Sequence, residues 1–460
     1  MQFINFLKGV WQRLFPLKDI KQALGIKPAI TDDMLNSIEL WQKCFAGQAP
    51  WLDENVISLR LEQAITREFA NITLNEMTAS VSNDKLQKIF ENATEDLNSE
   101  LQSGLATGAM VIKPLGGDKV QYISANAFVP IEFDAKHRLV KVIFPEFKKI
   151  GDNYYTRLEY HSLDTEKGLT ITNTAYVSAS EGQLGREIPL AAVDEWASLP
   201  NAVTYPAMLR PAFGYFRTPI KNTIDGSSCG MSVYANDLNL IRKIDTQFGR
   251  LDWEFESGER AIHVDAAALR ESKTAKLNKR LYRAVDVDLG NEELFKDFSP
   301  TLRQSDITDG LNTYLRRLEF SVGLAYGDLS NPETVAKTAT EIKSAKDRKY
   351  NTVSAIQKQL KYCLDDLVYA LAFYNSLTTS GYTFVCDFKD SILTDEQTER
   401  TQDIQDLSLG IIQPWEYRAK WYGEDEKTFP CHPSAIPPPV PTFPHALFST
   451  HHHGELQTFS

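Results

Sequence analysis

The feature that most constrains this chain is a helical stretch from Ser305 to Leu377, broken once near its start. Ile307, Leu311, Tyr314, Leu315, Leu318 and Val322 recur at three- and four-residue steps and set one apolar stripe. The run from Ala325 to Pro332 then brings glycine, asparagine and proline together, which stops a helix. Beyond it, Ile342, Ala345, Val353, Ile356, Leu360, Cys363, Leu364, Leu367, Val368 and Leu371 keep the helical period for nearly forty residues. At about 1.5 Å per residue this predicts a rod on the order of 60 Å, several times the ordinary helix length. A rod of that length reads as a structural span rather than the wall of an active site.

The rest of the chain builds outward from that rod. Phe3, Ile4, Leu7, Val10, Trp11, Leu14 and Phe15 form an amphipathic helix ending at Pro16. Packing on its own domain is the favoured role, and contact with a partner chain or a membrane surface is the alternative. Thr31 or Asp32 caps a helix carrying Met34, Ile38, Leu40 and Trp41. Residues 55–100 read as mostly helical, with Ile57, Leu61, Ile65 and Phe69 on one helix and Leu86, Ile89, Phe90 and Leu97 on a second. From Gly104 the pattern turns to alternation. Six strands are predicted, around 109–114, 120–123, 128–133, 139–147, 154–162 and 169–177, with Gly116-Gly117 as a hairpin turn. Residues 185–230 are proline-rich and read as loop.

A helix follows with Tyr234, Leu238, Ile241, Ile244, Phe248, Leu251 and Phe255 on one face and Asp245, Asp252, Glu254 and Glu256 on the other, a solvated face. The spacing then predicts a strand at 260–264, a basic helix over 266–282 and irregular structure over 286–298. This compact insertion lies between helices of similar length, 231–257 and 305–325, which are expected to pack antiparallel as a stalk. After the rod come a strand at 382–388, a helix capped by Thr394 with Gln397 as its capping-box partner, and a short helix at 414–422. From Phe429 the composition breaks: seven of twenty-one prolines and five of eight histidines follow it, so 429–460 reads as a disordered tail.

Chemistry is hard to find. Phosphate-loop, metalloprotease, serine-hydrolase and kinase patterns are absent. His137, His161 and His263 lie in strands or turns without a nearby carboxylate cluster and read as surface or packing residues. Glu341 is explained by its place at a helix start. No catalytic residue, metal site or cofactor is expected, and the chain reads as a non-enzyme. Five scattered cysteines without a CxxC pair suit free thiols in a reducing cytoplasm. No run is long enough to span a membrane and no signal-peptide pattern opens the chain. A formal charge of −12 argues against a protein that grips nucleic acid by neutralising phosphates.

The order helix, β region, helix, small insertion, helix, loop, long helix resembles the portal proteins of tailed double-stranded DNA bacteriophages. Ile38-Glu39-Leu40-Trp41 followed by Gly47-Gln48-Ala49-Pro50-Trp51 is similar to the amino-terminal signature of portals from siphophages of Gram-positive hosts. Phe213-Gly214-Tyr215-Phe216, Gly230-Met231-Ser232-Val233-Tyr234-Ala235 and Ile244-Asp245 resemble the entry into the family's first stem helix. Tyr326-Gly327 and Thr338-Ala339-Thr340-Glu341-Ile342 resemble its loop and the start of its long helix. The resemblance covers residues 1 to about 427, and the tail departs from it.

The resemblance implies an α+β, portal-type fold: a wing (1–226), a stem helix (227–257), a clip (258–304), a second stem helix (305–325) and a tunnel loop (326–337). A wing spine helix and strand (338–390), a crown (391–428) and the tail (429–460) complete it. It further implies a ring of about twelve copies at a capsid vertex of the virion, assembled in the host cytoplasm. The partners implied are terminase, head–tail connector or adaptor, scaffold and major capsid proteins, and double-stranded DNA passing through without sequence specificity. Tyr326, Gly327, Asp328, Leu329, Asn331 and Pro332 would shape a mobile tunnel loop. Asp245, Asp252, Glu254 and Glu256 would line an acidic channel, which suits DNA that must slide. Arg270, Lys273, Lys276, Lys279 and Arg280 in the clip would meet an acidic partner such as terminase. A different structural class, a scaffold or minor virion protein whose long helix is a coiled-coil arm, is the main rival. The drifting 3–4 spacing without paired flanking charges disfavours it.

Overall fold

The computed structural model describes residues 17–75, 77–259, 261–265, 282–285, 295–331, 339–378, 381–388 and 396–422. The expected amino-terminal helix, the basic helix at 266–281, the clip residues Arg270, Lys273, Lys276, Lys279 and Arg280, the Thr394 cap and the tail lie outside them. The described chain mixes helix and sheet and divides into two compact units, Met1–Leu393 and Thr394–Ser460.

The first unit begins with helices α1 (Leu17–Leu24), α2 (Asp32–Phe45) and α3 (Leu61–Asn75). Thr31 caps α2 by accepting the Met34 amide, and Met34, Ile38 and Trp41 point into the core. The predicted helical span then holds two further helices, α4 (Asp84–Ala93) and α5 (Leu97–Thr107). A strand, β1 (Met77–Val81), interrupts it. Its partner is β14 (Phe384–Phe388), in antiparallel register. Nothing local in Met-Thr-Ala-Ser-Val announces a strand whose partner lies three hundred residues away.

All six predicted strands are present, as β2 (Ala109–Gly116), β3 (Lys119–Ser124), β4 (Val129–Phe133), β5 (Leu139–Ile150), β6 (Asn153–Asp164) and β7 (Gly168–Ser178). They divide between two sheets. The 185–230 stretch is not all loop, because it supplies the missing partners: β8 (Arg186–Ile188), β9 (Ala202–Tyr205) and β10 (Gly214–Arg217). At three or four residues each, they are too short for alternation to be read. One sheet runs β10-β2-β3; the other runs β4-β5-β6-β7-β8, with β9 also on β7. Under the larger sheet, Glu159 binds Lys113 Nζ at 2.9 Å and His161 Nε2 at 2.7 Å, with Arg157 bridging to Glu146. His161 is therefore a buried packing residue with one carboxylate, Glu159, as its partner. Burial favours a neutral Glu159, yet Lys113, His161 and Arg157 hold its carboxyl well below the usual range.

Helices α6 (Leu238–Ser257) and α7 (Gln304–Val322) precede the rod, which is helix α8 (Ala339–Tyr374). Val353, Ile356, Leu360, Cys363, Leu364, Leu367, Val368 and Leu371 are all essentially inaccessible. They pack against β2, β10, α3 and α4. The helix is thus the floor of the main core and not a free coiled-coil arm. Gly214 shows how close the contact is, since a Cβ there would sit 2.5 Å from the Cys363 carbonyl oxygen. The predicted insertion contains a small sheet in which β11 (Ala261–Asp265) pairs parallel with β12 (Tyr282–Val285) and antiparallel with β13 (Phe295–Phe298). Tyr282 and 295–298, read as helix end and irregular chain, are strand instead.

In the second unit, α9 (Glu396–Ser408) and α10 (Pro414–Tyr422) form a helical hairpin. Asp403 accepts from Trp421 Nε1 at 2.8 Å and pairs with Lys420, and Arg400 donates to the Tyr422 hydroxyl.

Candidate functional site

The site rests on α6, α7 and the turn that leads from α7 towards α8. The two helices pack antiparallel, as two pins show. At one end Glu254 accepts from Arg303 Nη2 at 2.7 Å and from the Arg303 amide at 2.9 Å. At the other end Asp237 is buried and hydrogen-bonded to Ser321, with the Arg317 charge acting on it from further off. Burial raises the Asp237 carboxyl, partly offset by those two partners.

These pins revise the acidic face expected of α6. Asp252 and Glu256 are exposed as anticipated, but Asp245 and Glu254 are buried. Glu254 turns towards α7 and is covered by Arg303. Asp245 accepts from Trp51 Nε1 at 2.8 Å and from the Leu59 amide at 3.0 Å, which ties the 51–60 segment across α6. The same segment crosses so close to Gly249 that a Cβ would meet the Asn55 carbonyl oxygen at 2.0 Å. Burial raises the Asp245 carboxyl against the pull of those two hydrogen bonds. Trp51 is a structural strut for this helix.

Beneath it lies Glu62, 1% exposed in the first turn of α3. Neither of its carboxylate oxygens has a hydrogen-bond partner among the described residues. Burial, with Asp245 nearby, pushes its carboxyl up to about 7, against the weaker pull of its own backbone amide and Arg60. Burial and the same two acids push the Cys44 thiol up to about 12.

The turn after α7 is organised by a residue the sequence pattern passed over. Glu319 sits on the apolar face beside Leu315, Leu318 and Val322 and is fully buried. Its Oε1 accepts from the amides of Gly327 (3.0 Å), Leu329 (2.6 Å) and Ser330 (2.7 Å), and its Oε2 from the Ser330 hydroxyl (2.9 Å). Asn312, also buried on that face, accepts the Asn331 amide at 3.2 Å. Gly323 ends α7 in the left-handed region, with its amide and that of Leu324 returning to the Glu319 carbonyl. Asp328 caps the Ala325 amide and pairs with Lys349 of α8, which also reaches Glu68 of α3, both at 3.0 Å. Arg348 lies 4.4 Å over the Phe320 ring and 5.4 Å from that of Tyr326.

Tyr326, Gly327, Asp328, Leu329 and Asn331 therefore belong to a pinned root rather than to a mobile loop. Pro332, with 333–338, lies outside the described residues. A carboxylate on a buried stripe, eight residues before a Gly-Asp turn, was the available signal for Glu319. Among the described residues no group of three or more metal-ligating side chains comes together, and no helix is long and apolar enough to cross a membrane.

No protein-family model and no curated protein matches this chain.

Proposed function

We propose that the chain is the ring-forming portal subunit of a tailed double-stranded DNA bacteriophage, a structural protein of a capsid vertex through which the genome is packaged and ejected. One observation carries this reading. An antiparallel helix pair brackets a small three-stranded sheet, and its second helix runs through a pinned turn towards a 36-residue helix that is embedded in the main core from Val353 on. That arrangement suits a stalk with a clip at one end and a rigid wing at the other. On this reading 231–257 and 305–325 are stem, 258–304 clip, 326–337 tunnel loop and 391–428 crown. The wing is 1–226 with 338–390. Exposed Asp252 and Glu256 are the remaining acidic candidates for the channel wall.

The burial of the long helix weighs against the scaffold reading, which needs that helix free to pair with another chain. Terminase and connector proteins would dock on the clip, and DNA would pass through the ring.

Size-exclusion chromatography with light scattering tests the reading. A particle of about twelve times the 52.0 kDa chain, with a central hole in negative stain, is expected. A monomer at every concentration, with no ring in the images, overturns it.

A further inference from the structure

The outward faces of α6 and α7 each carry an exposed stripe, and the antiparallel pairing brings the two into register. On α6, Asn239, Arg242, Lys243, Thr246, Arg250 and Trp253 recur at three- and four-residue steps, opposite the face formed by Asp237, Ile241 and Ile244. All but the half-buried Thr246 are exposed, and Trp253, at 62%, leaves most of its indole in solvent. On α7, Asp306, Asp309, Thr313, Arg317 and Phe320 form the exposed stripe, opposite Leu311, Leu315 and Leu318.

The Glu254–Arg303 pin fixes the level of the two stripes. Four residues from it, about 6 Å along each axis, stand Arg250 on α6 and Ile307 on α7, the latter flanked by Asp306 and Asp309. Beside the pin itself, Trp253 is level with Leu302, which is 38% exposed. The far half of both stripes is basic, with Arg242 and Lys243 level with Arg317. Charge complementarity is therefore confined to the half nearest the small sheet.

We infer that this half is the contact between successive copies of the chain: Arg250 of one copy meets Asp306 and Asp309 of the next, with Trp253 packed beside them on Leu302. The inference rests on the portal reading, because a rotation about an axis along the helix pair preserves height, so residues at one level on opposite faces meet. Such a head-to-tail contact closes into a ring. Exposed ion pairs contribute little individually, so the tryptophan is the expected anchor and the charges set orientation and register.

The full chain is examined by light scattering over a dilution series. Arg250→Glu should raise the half-assembly concentration at least about tenfold, and so should the double change Asp306→Arg and Asp309→Arg. Arg250→Glu should not shift thermal unfolding of the dissociated chain, since its side chain is exposed; Asp306 lies in the first turn of α7 and acts on Arg303, so the double change is judged by its rescue in the mixture. Mixing the two variants should restore assembly at the wild-type concentration, because alternating copies then place each reversed face on a reversed partner. Wild-type assembly by Arg250→Glu, or a mixture no better than its components, overturns the contact and leaves the ring intact as a proposal. A wild-type chain that never assembles overturns the portal reading and the contact together.

Discussion

At the scale of single residues the telling groups are buried carboxylates, and they act in opposite ways. Glu319 is satisfied: three amides and a hydroxyl converge on it. Replacing it by alanine removes the common acceptor of a turn, leaving buried donors unpaired at a cost of about 1–3 kcal/mol each where water cannot reach. Glu319→Ala is expected to lower stability by a few kcal/mol in denaturant titration, with Glu319→Gln losing less. Hydrogen exchange at Gly327, Leu329 and Ser330 should become fast in the alanine variant; continued slow exchange there would show that the carboxylate does not pin the turn. Glu62 is unsatisfied. Its carboxyl is raised to about 7, so it favours the fold while protonated. Its contribution is complete below the ordinary carboxylate range and is lost as pH rises through about 7, a swing on the order of 3 kcal/mol. Glu62→Gln should flatten the stability profile between pH 5 and 8 and make the variant more stable than the wild type at pH 8. Parallel profiles would rule the residue out as the source. Neither role is visible in composition. A carboxylate on an apolar stripe is the one hint the sequence offers, and it does not say whether donors will meet it.

Elements were legible in proportion to how locally they are determined. The 36-residue helix and the short Pro414–Tyr422 helix follow from period and punctuation alone. The hairpin at Gly116-Gly117 follows from two residues that both take positive φ. The ribbon of Met77–Val81 with Phe384–Phe388, and the short strands between prolines, exist only because a distant partner satisfies their backbones. Asp245 misled for the same reason. Its helix position is amphipathic by pattern, but the 51–60 segment covers it from far away in sequence. The pinned root of the loop changes how that loop should be cut. Deleting 328–335 removes Leu329 and Ser330 and strips Glu319 of three of its four donors, so the fold should suffer along with any loop function. Deleting 332–337 spares the root. On the portal reading it should still form rings, while DNA packaging or retention fails. Packaging at wild-type yield by the 332–337 deletion would remove the loop from the mechanism.

For the whole molecule the decisive quantity is the sign of its field. On the portal reading, a chain of charge −12 repeated around a ring would exclude DNA unless a motor drove it in, and a wall that repels phosphate would let the duplex slide. Burial leaves Asp252 and Glu256 as the exposed acids of α6, since Asp245 is held by Trp51 and Glu254 by Arg303. Reversing both, Asp252→Lys with Glu256→Lys, changes exposed side chains and should leave stability and ring mass unaltered. It should convert an assembly that ignores duplex DNA at physiological salt into one that retains it. The affinity should fall with the logarithm of salt in proportion to the phosphates each ring neutralises. Reversing Asp245 instead should unfold the contact with the 51–60 segment before it alters any channel, appearing as lost stability rather than gained DNA binding. If the double reversal binds DNA no better than the wild-type ring, these two acids face away from the lumen. On the portal reading, the charge that repels DNA would then have to come from another element.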